Sequence, residues 1–283
     1  MKKLTERLLI FFIGLPLLIA VVLFLPYKNH VVLNIMVVLV TALGSAEFAG
    51  MLKKKDFPIN QLEAGILGAL IPLGMTIAVS FEIGLPVVPA SVILAVSWPL
   101  VSRVFSASAK LPDVLLFATA IFSVIIYPGF FMLWIIRMAL LSRAASVILV
   151  FLLMVIADDS AAWAAGMLFG RKNRNIIPAS PNKSIAGFIG GLTASVLIGL
   201  GAALLMPQVF AAQHIPAIPS GLILGFLSGI AADLGDLAES ALKRSSHVKD
   251  SGTLIPGRGG VLDSIDSIAM AAPVYYWLYR VLF

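Results

Sequence analysis

The sequence contains no cysteine. Disulfides, thiolate metal sites and cysteine nucleophiles are therefore excluded. Charge is almost as scarce, with 12% of the 283 residues being Asp, Glu, Lys or Arg. A soluble domain typically carries about 25%, so this chain has too few polar side chains to cover a water-facing surface. Histidine occurs three times. What the chain has in abundance is apolar surface: 60% hydrophobic residues and a mean hydropathy of +1.04. Such a chain faces lipid, and its length allows several spans of roughly 20 residues each. The net charge of +6 does not point to nucleic acid, because no basic run carries interleaved aromatics. Basic loops held at an anionic membrane face account for it.

Apolar runs lie at 8–26, 31–52, 62–81, 86–105, 114–136, 144–166, 186–206, 219–242 and 265–283. They predict an all-α, polytopic integral membrane protein with about nine transmembrane helices. The first run follows Met1-Lys2-Lys3, as in a signal peptide. It is long for one and lacks a small-residue cleavage site, so it reads as a retained span. Pro16, Pro72, Pro99 and Pro128 fall inside runs, which transmembrane helices tolerate. With the N-terminus in the cytoplasm, 16 Lys and Arg fall on the cytoplasmic side: Lys2, Lys3, Arg7, Lys53, Lys54, Lys55, Arg103, Lys110, Arg171, Lys172, Arg174, Lys183, Lys243, Arg244, Lys249 and Arg258. Four fall on the other side: Lys28, Arg137, Arg143 and Arg280. That asymmetry supports nine spans with a cytoplasmic N-terminus. It also places loops 167–185 and 243–264 on one face. The expected organisation is a set of N-terminal helices over 1–140 and a catalytic region with cytoplasmic loops over 141–283.

Eight of the 14 acids lie after position 150, several in or beside apolar runs. Carboxylates near a bilayer are costly and usually functional. Asp233 and Asp236 are spaced i, i+3 and share a helix face, along which Ser240 and Lys243 follow. Asp263 and Asp266 repeat the spacing at the start of the last run, where a helix dipole also favours acids. Between the pairs runs Ser245 to Gly260, containing Lys249, Asp250, Pro256, Gly257, Arg258, Gly259 and Gly260. Its glycines allow backbone N–H groups to approach an anion closely, or the stretch is an ordinary interfacial loop. Acid pairs beside a basic glycine loop suit a hard cation next to a polyphosphate. Upstream, Asp158 and Asp159 point about 100° apart on a helix. Gly166 and Gly170 are spaced for close packing, and Lys183 with Ser184 either holds a phosphate or anchors the interface. His247 reads as a surface histidine. Glu47 is an acid inside the second run with no legible partner.

The stretch Ser240–Asp266 resembles the signature of the phosphatidate cytidylyltransferases, or CDP-diacylglycerol synthases. Ser240, Lys243-Arg244, Lys249-Asp250, Gly259-Gly260, Asp263 and Asp266 stand at that family's spacing, matching nine of eleven strictly specified positions, and Pro256 agrees as well. Asp159-Ser-Ala-Ala-Trp163 and Ser180-Pro-Asn-Lys183-Ser184 are similar to two upstream boxes of the family. Three residues depart from it: Arg258 replaces His, Ser264 replaces Arg, and Ala186 replaces Glu.

The resemblance implies transfer of CMP from CTP to phosphatidic acid, giving CDP-diacylglycerol and pyrophosphate at the cytoplasmic face of the inner (plasma) membrane. It implies magnesium, with a second cation allowed, on Asp236, Asp263, Asp266 and Asp159. Catalytic roles would fall to Asp236, Asp263, Lys243 and Arg244. Lys183, Ser184, Ser240, Lys249, Asp250, Arg258, Gly259 and Gly260 would hold substrate. The expected partners are CTP, phosphatidic acid, the bilayer and a second copy in a homodimer, with no nucleic acid. The competing readings are a silent or substrate-shifted paralogue (CTP-dependent lipid kinase-like) and an ion-coupled transporter.

Overall fold

In a computed structural model, the described residues are 10–84, 86–104, 111–211 and 213–283. Lys2, Lys3, Arg7 and Lys110 of the sidedness count lie outside them. The described residues form helices and loops, with two isolated bridges and no strand. The helices are α1 Leu15–Phe24, α2 Tyr27–Lys53, α3 Gln61–Phe81, α4 Val87–Val101, α5 Val114–Val124, α6 Phe131–Met138, α7 Ala144–Phe169, α8 Ile185–Leu205, α9 Ala217–Ser245 and α10 Leu262–Leu282. Each apolar run is helical over most of its described residues. Six helical stretches among the described residues are long and apolar enough to cross a bilayer: 27–53, 61–81, 114–138, 144–172, 185–205 and 217–245. Two apolar helices are shorter, Phe12–Phe24 and Val87–Val101. This is the architecture of a multi-pass membrane protein.

The chain divides into two compact units. The first holds residues up to Leu140 together with Leu242–Ile265. In it, α2 and α3 approach closely because small residues face each other. A Cβ on Gly65 would meet the Ala42 carbonyl, and one on Gly68 would meet Ser45. Lipid tails are as apolar as leucine, so such contact rests on van der Waals packing rather than the hydrophobic effect. Asn60 caps α3, its side chain accepting the Leu62 and Glu63 N–H at 2.8 and 3.2 Å. Those N–H groups would otherwise be orphaned at the helix start. Glu63 then accepts from Trp98 Nε1 (2.8 Å) and Arg103 Nη2 (3.0 Å), and the Arg103 guanidinium sits 3.8 Å from the Phe117 ring centroid. The run 114–136 is not one straight helix. Its regular turns break around Pro128, over Ile125–Phe130, because proline has no N–H to give.

The second unit holds Leu141–Ala241 and Asp266–Phe283. Here α7 packs along α8, where a Cβ on Gly187 or Gly190 would meet the Ala162 and Ala161 carbonyls. Likewise α8 meets α9 through Gly199, Gly221 and Gly225. Ser195 Oγ donates to the Gly225 carbonyl at 2.9 Å. Tyr275 and Tyr279 of α10 are buried yet satisfied, donating to the Val147 and Val209 carbonyls at 3.0 and 2.7 Å. Their rings pack with Phe151, Phe210 and Phe283. The apolar walls of this unit thus hold in place the few polar groups on α7, α9 and α10.

Candidate active site

Two polar clusters stand out, one in each unit. In the first unit, Lys243 Nζ lies 2.5 Å from Asp263 Oδ1, and the two side chains are 12% and 7% exposed. Asp263 Oδ2 accepts the Ser251 N–H (2.8 Å) and the Gly260 N–H (2.7 Å) and lies 3.0 Å from the Ser251 hydroxyl. Asp263 therefore ties the end of α9, the loop and the first turn of α10 together. Burial pushes the Asp263 carboxyl up. The Lys243 hydrogen bond and charge, with the Gly260 and Ser251 N–H groups, outweigh burial and hold it below the usual carboxylate range. A depressed folded value stabilises above the unfolded value and is lost as pH falls through the folded one. The thermal-stability gap between wild type and Asp263→Asn is expected to stay open from pH 7 to about 4 and to close below that. A gap that closes between pH 7 and 5 would contradict the pairing.

Glu47 is the residue that sequence reasoning left without a role. Its carboxylate accepts the Val261 N–H (3.0 Å), the Leu262 N–H (2.9 Å) and the Ser251 hydroxyl (3.0 Å). These partners lie more than 200 positions away in the chain. The only signal in the sequence was an ionisable residue within an apolar run. Glu47 also explains two glycines: a Cβ on Gly252 or Gly260 would collide with its carboxylate oxygens. Gly259 has φ +114°, and a Cβ there would press on Asp263 Oδ2. The glycine loop thus closes around carboxylates of its own chain, and the Gly260 N–H is engaged by Asp263. Arg244, Lys249, Asp250 and Arg258 are exposed. Arg244 Nη1 reaches the Val248 carbonyl at 3.5 Å. His247 is exposed, with Nε2 3.1 Å from Lys55 Nζ.

In the second unit, Lys183 Nζ pairs with Asp236 Oδ2 at 2.6 Å, and Ser240 Oγ donates to Asp236 Oδ1 at 3.4 Å. Six carboxylates feel one another's charge: Asp158 with Asp159 and Asp233, Asp233 with Asp159 and Asp236, and Asp266 with Asp159, Asp236 and Glu239. Lys183 acts on Asp158 and Asp233 as well. Asp158, Glu239 and Asp266 are buried. Asp266 Oδ1 accepts the Ser267 N–H at 2.7 Å, and the Ser267 hydroxyl lies 3.5 Å from Asp159 Oδ1. Ser184 is buried and caps α8, accepting the Gly187 N–H at 3.1 Å. Gly166 and Gly170 leave room for its hydroxyl. Lys183 is thereby fixed at the entrance of α8, one residue before the cap.

Known proteins give this chain a family. A sequence model of the cytidylyltransferase family matches residues 5–282. The chain belongs to this family. The phosphatidate cytidylyltransferase of Bacillus subtilis is 42% identical over 123 residues, 43% of this chain and 43% of that protein. That of Synechocystis sp. is 42% identical over 122 residues, 43% and 39% of the two chains. That of Haemophilus influenzae is 42% identical over 129 residues, 45% and 43%. The matched stretch is thus less than half the length of each of these relatives. Against this cytidylyltransferase background, two of the three departures have visible surroundings. Ser264 Oγ donates back to the Gly260 carbonyl at 3.3 Å, and Arg258 is exposed on the loop.

Proposed function

We propose that this protein transfers CMP from CTP to phosphatidic acid, releasing pyrophosphate and leaving CDP-diacylglycerol in the bilayer. The observation that carries the reading is the six-carboxylate cluster around Lys183, in a chain of the cytidylyltransferase family. So much negative charge beside apolar helices is unstable on its own and suits a hard cation shared with phosphate oxygens. Among the described residues no three acidic or histidine side chains form a ready cage. Magnesium keeps several waters and binds through a few carboxylates plus substrate phosphates. Asp236, Asp266 and Asp159 would hold it in this cluster, Asp263 is the candidate ligand in the other, and a second cation is allowed. Bound there, the metal would supply charge neutralisation for phosphates.

The chain's own groups account for the rest of the chemistry. An oxygen of the lipid phosphate is already an anionic nucleophile, so no strong base is needed. It bonds to the α-phosphorus of CTP, the bond from that phosphorus to the bridging oxygen breaks, and pyrophosphate leaves. The barrier is the approach of two anions and the charge on the departing group. Lys243, Arg244, Lys249, Arg258 and Lys183 are the cations proposed to do this, with Lys243 and Lys183 paired to Asp263 and Asp236 in this structure. Ser240 and Asp250 complete the proposed substrate-holding set, whereas the Ser184 hydroxyl is engaged in the α8 cap and the Gly259 and Gly260 N–H groups are given to Ile255 and Asp263. The 16-to-4 basic asymmetry supports a site on the cytoplasmic side of the inner membrane, and the assembly expected is a homodimer.

The direct test is purified protein with CTP, phosphatidic acid and magnesium. Pyrophosphate release that depends on all three is expected. No turnover across several divalent cations and lipid acceptors would sink the reading, and flux through proteoliposomes without nucleotide would favour a transporter. Arg258 offers a second test. Arginine is permanently protonated and binds phosphate as a fixed cation. Arg258→His is therefore expected to lower activity near neutral pH and to raise the KM for CTP. A marked rise in activity would show that arginine is a handicap at this position.

A further inference from the structure

We infer that Glu47 is a positioning residue that holds the backbone of the glycine loop and, through Ser251, fixes Asp263 for reaction. The consequence for catalysis rests on the proposed nucleotidyl transfer; the anchoring itself does not. The geometry is one-sided. Glu47 accepts three hydrogen bonds from the loop and the α10 entrance. The Val261 and Leu262 N–H groups stand at the start of α10, whose positive end favours a carboxylate. Charge-assisted bonds of this kind are about twice as strong as neutral ones. Ser251 is the relay. Its single hydroxyl proton is shared between Glu47 Oε2 and Asp263 Oδ2, each 3.0 Å away, and its N–H is given to Asp263 Oδ2. A Cβ on Gly252 would meet the Glu47 carboxylate, and one on Gly260 would meet Ser251 Oγ as well as Glu47 Oε2. An acid near a bilayer is costly, so an apolar residue would serve better at position 47 if packing were its only task. Glu47 touches neither reacting group in the proposed reaction, which makes it a positioning residue.

The experiment compares wild type, Glu47→Gln and Glu47→Asp as full-length protein in detergent. Gln is neutral and nearly isosteric, so insertion and folding are favoured over the charged original. It cannot accept all three bonds, since its amide nitrogen is a donor. Asp keeps the charge but falls one methylene short. Two readouts are taken: hydrogen exchange of the Val261 and Leu262 amides, and steady-state kinetics with CTP, phosphatidic acid and magnesium. Both variants should exchange these amides about tenfold faster or more, with helices α7 and α8 unchanged. kcat should fall about 10–100-fold and half-saturating magnesium should rise, while the KM for CTP moves little.

Unchanged exchange in both variants would overturn the anchor. Faster exchange with kcat kept within about twofold would overturn the positioning role and leave a merely structural one. A loss of kcat matched by an equal loss of thermal stability and of α7–α8 protection would also overturn it. Should wild type show no transfer while Glu47→Gln still loosens Val261 and Leu262, the proposed reaction fails and the anchor stands.

Discussion

Asp263→Asn is expected to reduce pyrophosphate release by about 100-fold or more, because several kcal/mol of charge stabilisation depend on that carboxylate and each 1.36 kcal/mol is tenfold in rate. The expectation comes from how fully Asp263 is used. Its two oxygens accept from Lys243 and from the Ser251 and Gly260 N–H groups, and the Ser251 hydroxyl shared with Glu47 lies 3.0 Å away. Asn keeps the shape but turns one acceptor into a donor. That donor would face either the Lys243 ammonium or the two backbone N–H groups. The side chain also loses the charge that Lys243 balances.

Stability complicates this result, and the pair itself provides the control. Removing one partner of a buried ion pair strands the other, at about 3–5 kcal/mol. Asp263→Asn alone should therefore lower the thermal midpoint as well as the rate. Adding Lys243→Met removes the stranded cation, so part of the stability should return. Activity should not return, because both groups belong to the proposed machinery. Turnover above about a tenth of wild type in folded Asp263→Asn would sink the assignment.

Much of the fold was legible because hydropathy acts over whole segments. Each apolar run is helical over most of its described residues, and the acids at i, i+3 spacing do sit on α9 and α10. The break near Pro128 was less legible. Proline is tolerated in a span, and whether it kinks depends on what the neighbouring helices supply. At the site, helical spacing showed which residues share a face but not what they meet. Lys243 finds Asp263 twenty positions on, and Glu47 finds Leu262 at a separation of 215. Such pairs depend on how the helices pack, and no local period encodes that. The glycines show the same limit. Their presence says that the backbone makes a close approach, and the fold decides that Glu47 and Asp263 are among the groups it approaches.

Magnesium dependence should separate the members of the second cluster, with opposite signs for two substitutions. Asp236 is paired with Lys183 at 2.6 Å and is partly exposed, so a cation can reach it. Asp236→Asn removes a donor from the six-carboxylate cluster and is expected to cost about 100-fold in rate, by the same charge argument as for Asp263. Half-saturating magnesium should rise about tenfold or more, and excess magnesium should restore part of the activity. Lys183→Met does the reverse to the local charge. Lys183 competes with a divalent ion for Asp236, and its loss leaves the acids more negative. Half-saturating magnesium is therefore expected to fall, while the KM for CTP rises because a phosphate-holding cation is gone. Titrating magnesium against pyrophosphate release in both variants reads these signs directly. If both substitutions shift half-saturation the same way, Lys183 and Asp236 are not competing over a cation, and the cluster's surplus charge serves something other than metal binding.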